Sequence, residues 1–387
     1  MNRITGDQAL VKKINKSLVL DTVRRSSPLS RAKVSEMTGL NKATVSNLVA
    51  ELLEQELVLE LGPGESSGGR KPLLLLFNKT AGYAIGLELS VTHLKGALTD
   101  LEGTIVTERS QRLVQHDLSS VFEAICSMTE QLRHACPESA YGVIGIGIGV
   151  PGMVDEEGAI LYAPNLGWEK VPLRGMLEEH FQLPVTIDNE ANAGAQGELH
   201  FGAGNLARSL IYISAGSGIG SGIIIDGQLY KGARGYAGET GHMSIDFSGR
   251  RCSCGNRGCW ELYASEKAYE DPHLQLPSRS TRDLVPFARH QDAVVTGLFH
   301  QIGHALGIGV TNIVNSFNPE QIIIGGPLSE AREWIEPALQ REVAERTLPY
   351  HRRQLQVQFS VLGSRSTLLG ASYSAISLFL GRVRVSH

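Results

Sequence analysis

A small helical head followed by a two-lobed α/β body is the architecture this sequence predicts, on three observations. From Gly82 onward, short apolar strands ending in glycine-rich turns alternate with helical segments, the pattern of an α/β fold. Glycine turns recur at 145–152, 216–222 and 325–326, as expected of two similar lobes around a cleft. Before Gly82 the texture changes to helical spacing and a Gly/Ser/Pro loop. That stretch holds twelve Lys/Arg against eight Asp/Glu, in a chain of net charge −4, so the remainder carries −8. At 387 residues the chain is too long for one simple core. It shows no unbroken apolar run of about 18 residues, and its start lacks the apolar stretch of a signal peptide. No membrane partner and a cytoplasmic location are therefore expected.

In the head, Leu10, Val11, Ile14, Leu18 and Val23 have helical spacing over 10–25, ending at the break Ser26-Ser27-Pro28. Ser30 then caps a second helix with Ala32, Val34 and Met37 predicted inward, and Gly39 closes it. Asn41 or Lys42 starts a third, with Val45, Leu48, Val49, Leu52 and Leu53 inward. Apolar stretches at 57–61 and 73–77 flank the Gly/Ser/Pro loop and predict a β-hairpin. In the body, strands are predicted at 83–89, 143–150, 210–214, 222–225 and 322–324, and helices at 118–134 and 293–314. The polar stretch 271–282, rich in Pro and Ser, is the expected mobile loop.

A helix, a tight turn and a second helix, followed by a hairpin, predict a winged helix-turn-helix that binds double-stranded operator DNA. The exposed face of the second helix offers Asn41, Lys42, Thr44, Ser46 and Asn47, small hydrogen-bonding groups and one cation suited to base edges and phosphates. Ser30 and Arg31 stand at the start of the preceding helix, and Arg70 and Lys71 sit on the flexible hairpin tip, placed to reach the backbone or minor groove.

Five cysteines is an odd number, and Cys252, Cys254 and Cys259 fall within eight residues, which favours a metal over a disulfide framework. His242, ten residues upstream, supplies a fourth donor for tetrahedral Zn²⁺.

The head, together with Gly149-Val150-Pro151-Gly152, Asp188-Asn189-Glu190-Ala191-Asn192-Ala193, Glu239-Thr240-Gly241-His242 and the Cys-x-Cys-Gly-x-x-Gly-Cys-x-Glu of 252–261, resembles the ROK family of repressors and sugar kinases over essentially the whole chain. The resemblance implies an actin-like, hexokinase-like body in two α/β lobes. It divides the chain into a DNA-binding domain (1–78), a first lobe (79–187 plus 370–387) and a second lobe (188–369) with the sugar site, zinc loop and a dimerisation surface. The family pattern places sugar-binding groups at Asn165, Asn189, Glu190, Glu239, His242 and Glu261. Carboxylates and amides there can each hold two vicinal hydroxyls. Zinc is structural in the family, and the same histidine turns toward the sugar.

Kinase members carry an Asp-x-Gly-Gly-Thr phosphate turn and a Glu-Asn-Asp base. Here the corresponding stretches are Glu88-Leu89-Ser90-Val91-Thr92-His93 and Asp188-Asn189-Glu190. Both glycines of the cradle are gone, and the added methylene of Glu190 shifts its carboxylate by about 1 Å, on the order of a hundredfold in a positioning-limited transfer. The turn at 216–220 keeps its glycines, whereas Gly325-Gly326-Pro327 departs from the kinase pattern. Binding without turnover is expected, so no catalytic residue is assigned. Through SRAKVSEMTGLNKATVS, SSGGRKP and CSCGNRGCWELYASEKA the chain is similar to family members that respond to xylose. This implies a repressor that binds a palindromic operator as a homodimer, or a higher oligomer, and is released by D-xylose or a related aldose. Glucose or N-acetylglucosamine as effector, a phosphotransferase protein as partner, and an ATP-dependent sugar kinase with a DNA-binding head are the alternatives.

Overall fold

The computed structural model describes residues 8–63, 73–155, 157–271 and 273–385. The hairpin tip with Arg70 and Lys71 lies outside the described residues.

The head starts with α1 (Gln8–Ser26), followed by a two-residue strand β1 (Leu29–Ser30), α2 (Arg31–Thr38) and α3 (Lys42–Glu54). Local chemistry sets these boundaries. Ser30 Oγ accepts the Lys33 N–H at 3.2 Å, Gly39 takes φ +71° and donates to Ser35 O, and Asn41 Oδ1 accepts the Thr44 N–H at 2.8 Å. Strands β2 (Val58–Pro63) and β3 (Leu73–Phe77) pair antiparallel, with β1 on the other side of β3. Two apolar expectations are corrected. Of the three side chains predicted inward on α2 only Val34 is buried; Ala32 is exposed and Met37 is 49% exposed, because this short helix touches its neighbours along one edge. On α1, Val19, Leu20 and Val23 carry the packing, whereas Leu10, Val11, Ile14 and Leu18 are exposed.

The body holds two five-stranded sheets of the same design. In the first, β4 (Tyr83–Leu89), β5 (His93–Asp100) and β6 (Ile105–Arg112) run antiparallel, then α4 (Leu118–His134) leads to β7 (Val143–Val150), parallel to β4. A small sheet of β8 (Met153–Val154), β9 (Ile160–Ala163) and β10 (Trp168–Val171) intervenes, and α5 (Leu173–Phe181) leads to β11 (Val185–Asn189), parallel to β7. The order is β11-β7-β4-β5-β6. After α6 (Glu190–Phe201) the plan repeats: antiparallel β12 (Leu210–Ala215), β13 (Ile219–Ile225) and β14 (Gln228–Tyr230) are followed by α7 (Glu261–Ala264), α8 (Thr281–Arg289) and α9 (Ala293–Phe317). Then β15 (Gln321–Gly325), α10 (Arg332–Arg346), β16 (Gln356–Phe359) and α11 (Ser366–Val385) complete it, in the order β16-β15-β12-β13-β14. Helix α9 is long and apolar enough to cross a membrane, yet its Leu298, Phe299, Ile302, Leu306 and Val310 form the centre of the second core.

Two helices join the halves. Helix α6, which follows the first sheet, lies on β12 and β13; α11, which follows the second, lies on β4 and β7. They cross closely because glycine stands at the contact: a Cβ on Gly370 would collide with Ala193 O, and one on Gly197 with Ser366 O. The Gly145, Gly147 and Gly149 row of β7 likewise faces Ala375, Ala371 and Thr367 of α11, one helical turn per strand repeat. The far end of α11 enters the head, where Ala375, Ile376 and Leu380 join the core of Val19, Leu20, Val45 and Leu52. Tyr141 reinforces this junction by donating its hydroxyl to Gln55 O at 2.9 Å and packing edge-on against Phe379. The head is therefore packed onto the first sheet and α11 rather than tethered.

Candidate functional site

The head presents Asn41, Lys42 and Asn47 exposed and Thr44 and Ser46 half-buried along the start of α3. Ser30 and Asn41 are also the helix caps. Arg31 is not a free cation: its guanidinium meets Glu60 of β2 at 2.6 Å and ties α2 to the hairpin. Lys42 has no such partner among the described contacts and projects from the first turn of α3.

In the second half, the segment after β14 folds back into a knuckle. Bridges pair Ser244 with Cys259 and Arg251 with Arg257, and Gly258 at φ +63° lets the two arms meet where any Cβ would strike Asp246 O. The knuckle gathers His242, Cys252, Cys254 and Cys259, with their donor atoms within 4.8 Å of one another. A tetrahedral ion with metal–sulfur bonds of about 2.3 Å separates two thiolates by about 3.8 Å. Cys254 Sγ and Cys259 Sγ stand 3.7 Å apart, and Cys252 Sγ is 3.8 Å from His242 Nδ1. The four side chains can hold one metal ion. Trp260, fully buried, anchors the knuckle by donating its indole N–H to Ala305 O of α9 at 2.8 Å.

Glu261, next along, is only 4% exposed. Its Oε1 accepts from Lys267 Nζ at 2.6 Å and lies 3.3 Å from Cys252 Sγ and 3.6 Å from His242 Nδ1. Glu239 precedes the short turn that carries His242 and is exposed. These three candidate sugar ligands therefore belong to one cluster.

A second cluster sits at the ends of the first sheet. Glu88, Gly149 and Asp188 form one row across β4, β7 and β11. Asp188 accepts from the Asn189 N–H and the Asn192 amide and pairs with Lys231 Nζ at 2.5 Å. Asn189 caps α6 through its Oδ1, which accepts the Ala191 N–H at 2.8 Å, and donates Nδ2 to Gly152 O at 2.9 Å. It thus ties the Pro151-Gly152 turn to the start of α6. Glu190, half-buried, has its carboxyl pushed up to about 7 by burial, with Glu88 adding to the rise. Thr367 of α11 donates its hydroxyl to Glu190 O at 3.0 Å. Glu88 is also raised by burial, meets Lys95 at 3.5 Å, and leaves a buried Oε2 without a partner.

The two clusters meet at the start of β13. Gly220 lies beside Ala191 of α6, and Gly218 beside Glu261 Oε2. Asn165 stands apart, exposed on the β9–β10 turn, with no described side-chain contact to either group. Lys231, Lys267 and Thr367 were missed by sequence reasoning. Lys267, six residues after Glu261, which ends the cysteine motif, was the one with a local signal.

The turn after β4 is closed on itself. The Ser90 N–H donates to His93 O at 2.9 Å, the His93 N–H to Ser90 Oγ at 3.1 Å, and Ser90 Oγ to His93 O at 3.0 Å. The Ser90 amide, at the first glycine position of the kinase cradle, is therefore committed within the turn rather than free for a phosphate.

Comparison with known proteins adds a lineage to this geometry. Residues 84–377 match the ROK family. The chain is 44% identical over 382 residues to a xylose repressor of Bacillus spizizenii, covering 98% of this chain and 99% of that protein. A solved ROK family transcriptional regulator, described as a homologue of the Escherichia coli MLC protein, superposes with a TM-score of 0.82 at 28% identity, over 97% of this chain and 99% of that one. A ROK family glucokinase from Streptomyces griseus, solved with glucose and AMPPNP, covers 75% of this chain and 98% of its own, with a TM-score of 0.67 at 29% identity.

Proposed function

Because this chain belongs to the ROK family, we propose that it is a xylose-responsive transcriptional repressor, in which the head binds operator DNA and the body binds the sugar. The observation that carries the reading is α11. At one end Thr367 touches Glu190, and at the other Ile376 and Leu380 are part of the head core. A sugar that alters the interlobe angle through Glu190 moves a rigid helix seated in the DNA-binding unit. Such a ligand shifts the equilibrium only by its differential affinity for the two lobe arrangements.

In this reading residues 1–78 form a winged helix-turn-helix, residues 79–187 with 370–387 the first lobe, and residues 188–369 the second. Lys42, Thr44, Ser46 and Asn47 face the major groove, with Arg70 and Lys71 on the wing. Arg31 contributes by bracing the wing through Glu60. A homodimer sets two recognition helices about one or more helical turns apart on a palindrome. The protein acts in the cytoplasm and has no membrane partner. His242, Cys252, Cys254 and Cys259 hold a structural Zn²⁺, which would fix the imidazole so that its second nitrogen faces a sugar hydroxyl. Asn189, Glu190, Glu239 and Glu261 supply the other contacts, and Asn165 joins them when the lobes close. No phosphoryl transfer is expected, since the Ser90 amide of the first-lobe turn is committed to His93 O and Glu190 replaces the base.

Calorimetry against xylose, glucose and N-acetylglucosamine, with and without operator DNA, tests the assignment. Xylose is expected to bind, and to bind more weakly when operator is present. Binding of glucose or N-acetylglucosamine alone overturns the effector identity, and steady ADP formation from sugar and Mg-ATP overturns the non-catalytic reading.

A further inference from the structure

We propose that Lys267 is a positioning residue of the effector site, holding the Glu261 carboxylate aimed so that its second oxygen is free for a sugar hydroxyl. The inference rests on the sugar-binding reading above and adds a residue to it.

Glu261 is buried, and an unpaired carboxylate there would be strongly disfavoured. Its Oε1 lies 3.3 Å from Cys252 Sγ and 3.6 Å from His242 Nδ1. The described partner of opposite charge is Lys267, whose Nζ meets the same Oε1 at 2.6 Å.

The backbone is shaped for this pair. Ser265, fully buried, donates its hydroxyl to Glu261 O at 2.6 Å and accepts the Lys267 N–H at 3.1 Å, clamping the two residues across the turn after α7. With Oε1 committed, Oε2 faces Gly218 at the mouth of β13, where an added Cβ would lie 2.9 Å from it. That is the strip where the two clusters of candidate ligands meet. The other side of Lys267 borders an open surface pocket lined with Ser217, Glu266, Glu270 and Arg279. The ammonium is thus committed to Oε1, and Oε2 is the carboxylate oxygen left on the Gly218 side.

A merely structural salt bridge would affect stability and metal retention; a positioning role affects sugar affinity. The test compares Lys267→Met, Lys267→Gln and Lys267→Arg in the full-length protein, measuring zinc content, melting temperature, operator affinity without sugar, and xylose affinity by calorimetry. Removing a charged hydrogen-bond partner is expected to weaken xylose binding by at least about tenfold in the Met and Gln variants. One metal per chain and sugar-free operator affinity should be kept, and Lys267→Arg should restore affinity to within about threefold. Xylose affinity within twofold of the parent in the Met and Gln variants overturns the proposal, as does loss of metal in both. If the parent protein itself binds no aldose, the effector reading fails first and the proposal falls with it, a result distinguishable because it appears before any substitution.

Discussion

Replacing Thr367 by valine keeps the volume and branching of the side chain but removes the hydroxyl that it donates to Glu190 O at 3.0 Å. The bond is partly buried and neutral, so its loss is worth about 1 kcal/mol, roughly fivefold in an equilibrium constant. The position gives that small loss its meaning. Thr367 lies in the first turn of α11 beside Gly149, and Leu380, in the core of the head, is thirteen residues further on, about 20 Å along the helix axis. If Glu190 reports sugar binding to the head through this helix, the valine variant should bind operator as the parent does without xylose. It should then need about five times more xylose for half-release. Fluorescence anisotropy of labelled operator, titrated with protein and then with xylose, reads both quantities. An unchanged half-release concentration, or a change confined to sugar-free operator affinity, would refute transmission through this contact.

Lys42→Ala should weaken operator binding and lower the slope of log affinity against log salt by about one, since it removes a phosphate contact; an unchanged slope in a salt series would place Lys42 off the DNA. Cys259→Ser should lose the metal by mass spectrometry and lower the melting temperature, because the knuckle positions Trp260 on α9; full metal occupancy in the variant would exclude Cys259 as a ligand. Glu190 binds its proton more tightly folded than its ordinary value of 4.5 implies, up to about 7. Between those values the folded state holds more protons than the unfolded one, so this group's contribution to stability falls as pH rises from about 4.5 to 7. Chemical denaturation across that window should show Glu190→Gln with a flatter pH dependence than the parent, and equal slopes would contradict the shift.

What the sequence disclosed follows from the range of the interactions. Ser30, Gly39 and Asn41 announced the helix boundaries because each cap acts on a backbone group within four residues. The metal set was legible for the same reason: three cysteines share one loop, and His242 lies ten residues away. The glycines at 145–149, read from the sequence as part of a recurrent turn, in fact lie within β7. Only the fold shows that α11, more than two hundred residues later, lies against them. Charged partners were the least legible. Lys231 meets Asp188 from 43 residues downstream and Arg31 meets Glu60 across 29, and a lysine or arginine in isolation reads as a solvated side chain. Met37 misled because a short helix can match an apolar spacing and still bury a single side chain. Asn189 shows a double use that spacing cannot separate, since the amide expected on the sugar is also the cap of α6.

The most direct measurement is the anisotropy of a labelled palindromic operator, saturated with the parent protein, as D-xylose is added. A sugar-gated repressor predicts a saturable fall to the value of free DNA, with ADP absent when Mg-ATP is present. A complex that stays intact at saturating xylose would contradict the account.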